Sequence, residues 1–204
     1  TVTSEKDGIQ GKDSVSVQNA DVNINCGKDG IQSDNDEDES KGYIFVSSGN
    51  ITINAGDDGL TAVSSLQIDD GTVNITNSYE GIEARNITLN GGSISIVSSD
   101  DAINAVSPSG ETMQADSATT LVINGGEIHV RTEGDGIDSN GSFEMTGGTL
   151  VVMGPTKSGN GSLDAVSNAL REFTGRQFNL KVYTEHSVQE KGSGSTAAAY
   201  IGLE

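Results

Sequence analysis

The chain has 204 residues, of which 33% are hydrophobic and 4% aromatic, and it carries 27 glycines and a formal net charge of −19. The length alone suits one domain, and the acidic balance argues against a nucleic-acid partner or an anionic membrane surface, both of which require basic patches. No apolar run is long enough to span a bilayer, so we expect neither a nucleic-acid partner nor membrane insertion.

Six segments share one pattern, in which two pairs of alternating apolar residues lie seven positions apart. They start 29, 22, 21, 34 and 22 residues after one another. Alternation of this kind predicts short strands with one buried face, and glycine-containing turns separate the two strands of five units. The apolar quartets are Val15/Val17/Val22/Ile24, Ile44/Val46/Ile51/Ile53, Leu66/Ile68/Val73/Ile75, Ile87/Leu89/Ile94/Ile96, Leu121/Ile123/Ile128/Val130 and Phe143/Met145/Leu150/Val152.

An acidic residue follows the first apolar residue of five units by fourteen positions, and most of these acids precede Gly-Ile. An additional Asp7-Gly8-Ile9 comes before the first unit, and Lys157 takes the acidic position in the sixth. The Gly-Ile segment adds a third strand to each unit. The repeat therefore predicts an all-β fold over residues 1–160, a single-stranded parallel β-helix forming a three-sided solenoid of about six coils. A β-sandwich would explain the alternation but not the fixed offset.

Two longer intervals indicate insertions after the third strand, at about 33–42 and 107–120. The first insertion holds five acids in six residues, from Asp34 to Glu39. It lacks the glycine and the final glutamate of an EF-hand loop. A solvated acidic loop and a loose cation site both remain open interpretations of this segment.

The repeated acids predict a metal site. Equivalent positions of successive coils would lie about 4.8 Å apart, where two unit charges repel by about 3–4 kcal/mol at an effective dielectric of 20. Calcium offsets such repulsion and takes six to eight oxygen ligands. Alternatively, the aspartates accept backbone N–H bonds before glycine, and both roles can coexist. The predicted Ca²⁺ ligands are Asp57, Asp58, Glu80, Asp100, Asp101 and Asp135.

The repeated Asp-Gly-Ile, the Gly-Gly turns and the segment from Gly154 to Asp164 resemble the calcium-binding parallel β-helix carbohydrate-binding proteins of anaerobic, plant-cell-wall-degrading bacteria. The resemblance covers about residues 1–164. It implies a fold like that of polysaccharide lyases, bound Ca²⁺, and a plant cell-wall polysaccharide partner, either acidic pectic chains or cellulose. It also implies an extracellular or cell-surface location, although the chain itself shows no signal-peptide pattern.

A row of polar residues in the second strands is the predicted glycan-binding face. These residues point outward from the buried pattern and are suited to hydrogen-bonding a polysaccharide chain. They are Asn23, Thr52, Asn74 and Ser95.

The sequence favours a binding protein over an enzyme. A lyase needs a basic residue beside Ca²⁺, and the nearest candidates, Arg85 and Lys157, are explained more simply by salt bridges. No catalytic residue is assigned. A calcium-stiffened structural or adhesive solenoid and a polysaccharide lyase remain alternatives, and the oligomeric state stays open.

Residues 161–204 depart from the repeat and form a predicted second domain. The segments 164–170, 183–186 and 197–201 resemble a fragment of the C-terminal regulatory domain of 2-isopropylmalate synthase. Without the catalytic barrel, the resemblance implies neither synthase activity nor leucine sensing. Helical spacing from Val166 to Phe173 and two later alternating segments predict a helix-plus-hairpin cap on the open end of the solenoid.

Overall fold

The computed structural model describes residues 1–107, 116–155, 180–187 and 197–203, and every helix or strand assigned within them is a strand. None of the described residues forms a helix that could cross a membrane. In chain order the strands are β1 (Val2–Ser4), β2 (Ile9–Gln10), β3 (Ser14–Val17), β4 (Ala20–Cys26), β5 (Ile31–Ser33), β6 (Tyr43–Val46), β7 (Gly49–Asn54), β8 (Leu60–Ile68), β9 (Thr72–Asn77), β10 (Ile82–Leu89), β11 (Ser93–Ser98), β12 (Ile103–Ala105), β13 (Thr120–Ile123), β14 (Glu127–Thr132), β15 (Asp138–Ser139), β16 (Ser142–Met145), β17 (Thr149–Met153), β18 (Leu180–Ser187) and β19 (Ala197–Leu203).

The strands form two parallel sheets in layers. The nine-stranded sheet runs β1-β4-β7-β9-β11-β14-β17 and ends in β19 and β18, which are antiparallel. The ten-stranded sheet runs β2-β5-β8-β10-β12-β15, with β3, β6, β13 and β16 paired alongside. Along the parallel part of each sheet, neighbouring strands come from successive repeat units, so equivalent residues of the repeat lie side by side.

The core consists of rows of aliphatic side chains, one from each unit. On the nine-stranded sheet, Ile53 pairs in register with Ile24 and Ile75, and all three are at most 1% exposed. The row continues through Ile96, Val130 and Val152. Each such side chain contributes about 1.5–3 kcal/mol of hydrophobic free energy on burial. The six apolar quartets of the sequence thus all lie on strands and face this core.

Glycines form the turns between the two strands of five units, and Asn19 takes a positive φ of 49° in the first. Gly71 and Gly92 have φ of +102° and +84°, values that residues with a Cβ rarely adopt. The turn sequences recognised in the repeat therefore have a direct conformational cause.

The predicted three-sided, single-stranded β-helix is wrong. The described strands form two layered parallel sheets, without a third face and without a closed solenoid. In two places the predicted third strand of one unit continues directly into the first strand of the next. Residues 60–68 and 82–89 are each a single strand, and β8 has one residue more than β10 at the link, which appears as a register shift between Ala84 and Asn86.

The C-terminal strands pair with the end of the nine-stranded sheet. β19 is antiparallel to both β17 and β18. The predicted helix around 166–173 lies outside the described residues, and the domain boundary at 160/161 stays a prediction.

Candidate functional site

The repeated acids lie just before the strands that follow them in each unit, and their side chains connect successive units. These strands are β2, β5, β8, β10, β12 and β15. Asp29 Oδ1 accepts the backbone N–H of Asp58 at 3.1 Å, and Asp58 Oδ1 accepts that of Glu80 at 3.1 Å. Asp101 Oδ1 accepts the N–H of Asp135 at 2.6 Å. The alternative in which these aspartates accept backbone N–H bonds is therefore confirmed.

Glu80 departs from this arrangement because its longer side chain reaches a different partner. Its Oε1 accepts a hydrogen bond from Asn104 Nδ2 at 3.0 Å. Its Oε2 is buried and has no hydrogen-bond partner among the described residues, and the residue as a whole is only 7% exposed. A buried carboxylate oxygen in this condition requires a proton or a cation, since desolvation of an ionised carboxylate is costly.

Two groups of three carboxylates converge at this edge. One contains Asp29, Asp57 and Asp58; the other contains Asp58, Glu80 and Glu83. Within each group, one oxygen per residue lies within 4.8 Å of the others, close enough to share one metal ion. Asp58 belongs to both groups, so the two candidate positions are adjacent.

The structure brings together only part of the predicted metal set. Asp57, Asp58 and Glu80 join these groups, whereas Asp100, Asp101 and Asp135 are in no such group among the residues that the structure describes. Instead, Asp101 is covered by Gly134, where an added Cβ would lie 2.6 Å from Asp101 Oδ1.

The predicted metal ligands did not include two members of these carboxylate groups, Asp29 and Glu83. Asp29 occupies the repeated acidic position. Glu83 follows Glu80 by three residues and lies on β10, beside the row of repeated acids.

The carboxylates of the two groups raise one another's affinity for protons. Burial, together with the negative charges of Glu83, Asp29 and Asp57, raises the pKa of Asp58 to about 7. Burial also raises the pKa of Asp29 to about 6. Burial and the carboxylate of the adjacent Glu83 raise the pKa of Glu80 well above its usual range. Burial, the largest cause of each shift, and the neighbouring negative charges both favour a proton or a cation at these carboxylates.

No ion pair within the described residues relieves this charge. The pairs join Lys12 to Glu37, Lys41 to Asp13, Arg85 to Asp116 and His129 to Glu127. The acids of the two carboxylate groups are therefore available to a cation from solution.

A groove of about 450 Å³ opens beside the second carboxylate group and is partly lined by Glu80 and Glu83. Its floor is an in-register row across β5, β8, β10 and β12, made of Gln32, Thr61, Glu83 and Asn104. Segments from the two insertions, including Asp34, Asp36 and Ser107, also line it.

The predicted glycan-binding row lies elsewhere, on the nine-stranded sheet. Asn23, Thr52, Asn74 and Ser95 are in-register neighbours on β4, β7, β9 and β11. All four side chains are exposed or half-exposed on the face away from the core, and none of them lines the groove. Their role in binding stays a prediction.

The family relationship follows from the N-terminal part of the chain. A family model described as "Carbohydrate-binding domain-containing protein" matches residues 1–113, which is more than half of the 204 residues. The chain belongs to this family. Its membership supports carbohydrate binding as the general function of the protein, and both carboxylate groups and the groove lie within the matched residues.

The C-terminal part of this carbohydrate-binding-domain protein has a different relationship. The model of the LeuA allosteric (dimerisation) domain matches residues 144–204. A 2-isopropylmalate synthase of Helicobacter hepaticus is 47% identical over 49 residues, which are 24% of this chain and 9% of the relative. The chain thus spans less than a tenth of that relative's length. No solved structure matches the chain.

Proposed function

We propose that this protein binds plant cell-wall polysaccharide, acidic pectic chains or cellulose, in a Ca²⁺-dependent manner at an extracellular or cell-surface location. The observation that carries the proposal is the carboxylate group of Asp58, Glu80 and Glu83, in which Glu80 Oε2 is buried and has no hydrogen-bond partner in the described part of the chain.

The chemistry of the ligands favours Ca²⁺. Asp58, Glu80 and Glu83 offer only oxygen, and no His or Cys belongs to either group. Hard cations take such ligands, and Ca²⁺ accepts six to eight oxygens at 2.3–2.6 Å in flexible geometry. Three carboxylates leave coordination positions for carbonyls, water or a glycan oxygen. Extracellular modules bind Ca²⁺ at about 10⁻⁴–10⁻³ M, which is the range expected for an open site of this kind.

For acidic glycans, the negative charge of the protein explains why binding should require Ca²⁺. The protein carries a net charge of −19, so uronate chains are repelled unless a divalent cation lies between the two sets of carboxylates. Cellulose is neutral and needs no such bridge, but its hydroxyl groups can serve as Ca²⁺ ligands. Binding of acidic pectic chains should therefore depend on Ca²⁺ more strongly than binding of cellulose.

The test combines metal titration with glycan retention. Protein freed of metal by a chelator is titrated with CaCl₂ in a calorimeter, with MgCl₂ as the matched control. Its retention on polygalacturonate and on cellulose is then measured with Ca²⁺ and with EDTA, alongside melting curves. We expect millimolar or tighter Ca²⁺ binding, and retention that EDTA abolishes while the fold persists.

Two outcomes would contradict the proposal. Absence of Ca²⁺ binding at millimolar concentration would remove the metal from the function. Absence of retention on either glycan, together with a melting temperature that EDTA lowers, would indicate that Ca²⁺ serves only to stiffen the protein.

A further inference from the structure

The groove on the ten-stranded sheet has two walls contributed by distant parts of the sequence. One wall comes from Ser33, the last residue of β5, and from Asp34 and Asp36 just after it; the other comes from Val106 and Ser107, just after β12. Since β5 and β12 are three strand spacings apart, the opening is about 14 Å across at the level of the backbone. The repeat therefore places the first residues of its two insertions on either side of a polar floor.

Each amide or hydroxyl side chain of the floor donates a hydrogen bond to one of the clustered carboxylates. Gln32 Nε2 donates to Asp29 Oδ2 at 2.8 Å. Thr61 Oγ1 donates to Glu83 Oε1 at 3.3 Å, and Asn104 Nδ2 donates to Glu80 Oε1 at 3.0 Å. The floor and the candidate metal position are thus one connected polar network.

Two buried acceptors at this network lack a donor. Asn104 is 1% exposed, yet its Oδ1 has no hydrogen-bond partner among the described residues, and the same holds for Oε2 of Glu80. Both residues line the groove. Unpaired buried acceptors are uncommon because each costs about 1–3 kcal/mol, so they point to a ligand that supplies hydroxyl donors or a cation.

The size and charge of the groove fit one class of ligand. Its volume of about 450 Å³ lies within the usual range for small-ligand pockets. The lining carries Asp34, Asp36, Glu80 and Glu83 but no basic residue among those described. A free anion is therefore disfavoured, whereas a chain rich in hydroxyl groups can donate to the acceptors and add oxygen ligands to a bound cation.

We propose that the glycan chain lies in this groove, with its hydroxyl groups held by Asn104, Gln32 and Thr61 and one sugar unit contacting the cation at Glu80 and Glu83. The flat row of the nine-stranded sheet is then not the binding face. This inference rests on the proposed function, because it gives the position of the glycan that the proposed function requires.

The first test compares substitutions on the two faces at saturating Ca²⁺. Gln32→Ala and Thr61→Val alter the groove floor, while Thr52→Ala and Asn74→Ala alter the flat row. Soluble oligogalacturonates and cello-oligosaccharides are titrated into each variant, and Ca²⁺ affinity is measured in parallel. We expect the groove variants to bind glycan roughly tenfold more weakly and the flat-row variants to change less than about twofold. The reverse order would overturn the inference while leaving the proposed function intact.

The second test does not depend on hydrogen-bond energies or on Ca²⁺ affinity. Asp36→Cys and Thr52→Cys place one reactive thiol on the groove wall or on the flat row, and the native Cys26 is buried. A maleimide is applied with and without saturating oligosaccharide. Protection at position 36 but not at 52 supports the inference, and protection at 52 but not at 36 overturns it. Wild-type protein that binds no oligosaccharide in Ca²⁺ would overturn the proposed function as well.

Discussion

Asp58 Oδ1 accepts the backbone N–H of Glu80 at 3.1 Å, so the acid of one repeat unit holds the acid that precedes β10 in the next. Asp29 holds Asp58 by the same contact at 3.1 Å. Each aspartate uses one oxygen to connect neighbouring units, and each also belongs to a carboxylate group. The repeated acid therefore combines a structural role with a candidate metal-binding role.

Glu80→Gln should raise stability without metal and lower it with metal. The amide needs no proton when it is buried beside Glu83 and Asp58, whereas Glu80, with its raised pKa, must take up a proton at pH 8 when metal-free protein folds. The substitution also removes a strong Ca²⁺ ligand, so the stabilisation that Ca²⁺ gives through binding to the folded state should fall. We expect a melting temperature a few degrees higher than wild type in EDTA at pH 8, and a Ca²⁺-induced increase that is largely lost.

Glu5→Gln is the matched control, since it makes the same chemical change at an exposed glutamate outside both carboxylate groups. It should leave the melting temperature in EDTA and the response to Ca²⁺ close to wild type. A Glu80→Gln protein that keeps the full response to Ca²⁺ would show that Glu80 is not a metal ligand.

Metal-free protein should lose stability as the pH rises from about 4 to about 7. Burial raises the pKa of Asp58 and of Asp101 from 3.8 to about 7, so the folded state binds more protons than the unfolded state across this range. Stability falls with rising pH when the folded state holds the extra protons. Because each kcal/mol shifts the melting temperature by about 2–4 °C for a chain of this length, we expect it to be roughly 5 °C or more lower at pH 8 than at pH 5 in EDTA.

Asp58→Asn should flatten this pH profile, because its amide does not titrate, whereas Asp70→Asn at an exposed turn should leave the slope unchanged. Added Ca²⁺ should raise stability more at pH 8 than at pH 5, since protons compete for the same oxygens. A profile whose stability increases from pH 5 to pH 8 without metal would contradict the prediction.

Much of the strand pattern was visible in the sequence because alternation reports burial directly. Ile51 and Ile53, for example, repeat the spacing of Val73 and Ile75, and all four are buried. The three-sided geometry was wrong because periodicity marks strands but does not show whether a short link bends or stays extended. Residues 63–65 continue β8, so two predicted strands are one.

The groove could not be read from the sequence, since its walls lie some seventy residues apart and only the strand register brings them near each other. A signal for its floor was nevertheless present. Gln32, Thr61, Glu83 and Asn104 all occupy the variable position after the buried aliphatic residue that begins the strand, and all four are polar. Polar residues at that position in successive units therefore indicate the polar floor of the groove, which the repeated acids alone do not predict.

Asn90→Ala should weaken a side-chain ladder that links three repeat units. Asn90 Nδ2 donates to Asp69 Oδ1 at 2.7 Å, and Asn90 Oδ1 accepts from Asn124 Nδ2 at 2.8 Å. The ladder is exposed, so water replaces part of what is lost, and we expect a decrease in unfolding free energy of about 1–2 kcal/mol. Urea denaturation measures it as a lower midpoint at unchanged m value.

Asn23→Ala provides the control for this ladder, because it truncates an exposed asparagine on the nine-stranded sheet. It should change the unfolding free energy by less than about 0.5 kcal/mol. Equal losses in the two variants would show that the ladder of Asn90 adds nothing to stability.

Gly59→Ala should destabilise the protein by overpacking. An added Cβ would lie 2.5 Å from the carbonyl oxygen of Gly81 and 2.6 Å from Ile75 Cδ1. The carbonyl cannot retreat freely, because it accepts the N–H of Leu60 at 3.0 Å. We expect a loss of about 1–3 kcal/mol in urea denaturation. Ile75→Val removes the contact with Cδ1, the closer of the two side-chain contacts, and alone costs about 0.5–1.5 kcal/mol. The double variant should therefore lose less than the sum of the two single changes. Strict additivity would show that the methyl group of Ala at position 59 is accommodated without contacting Ile75.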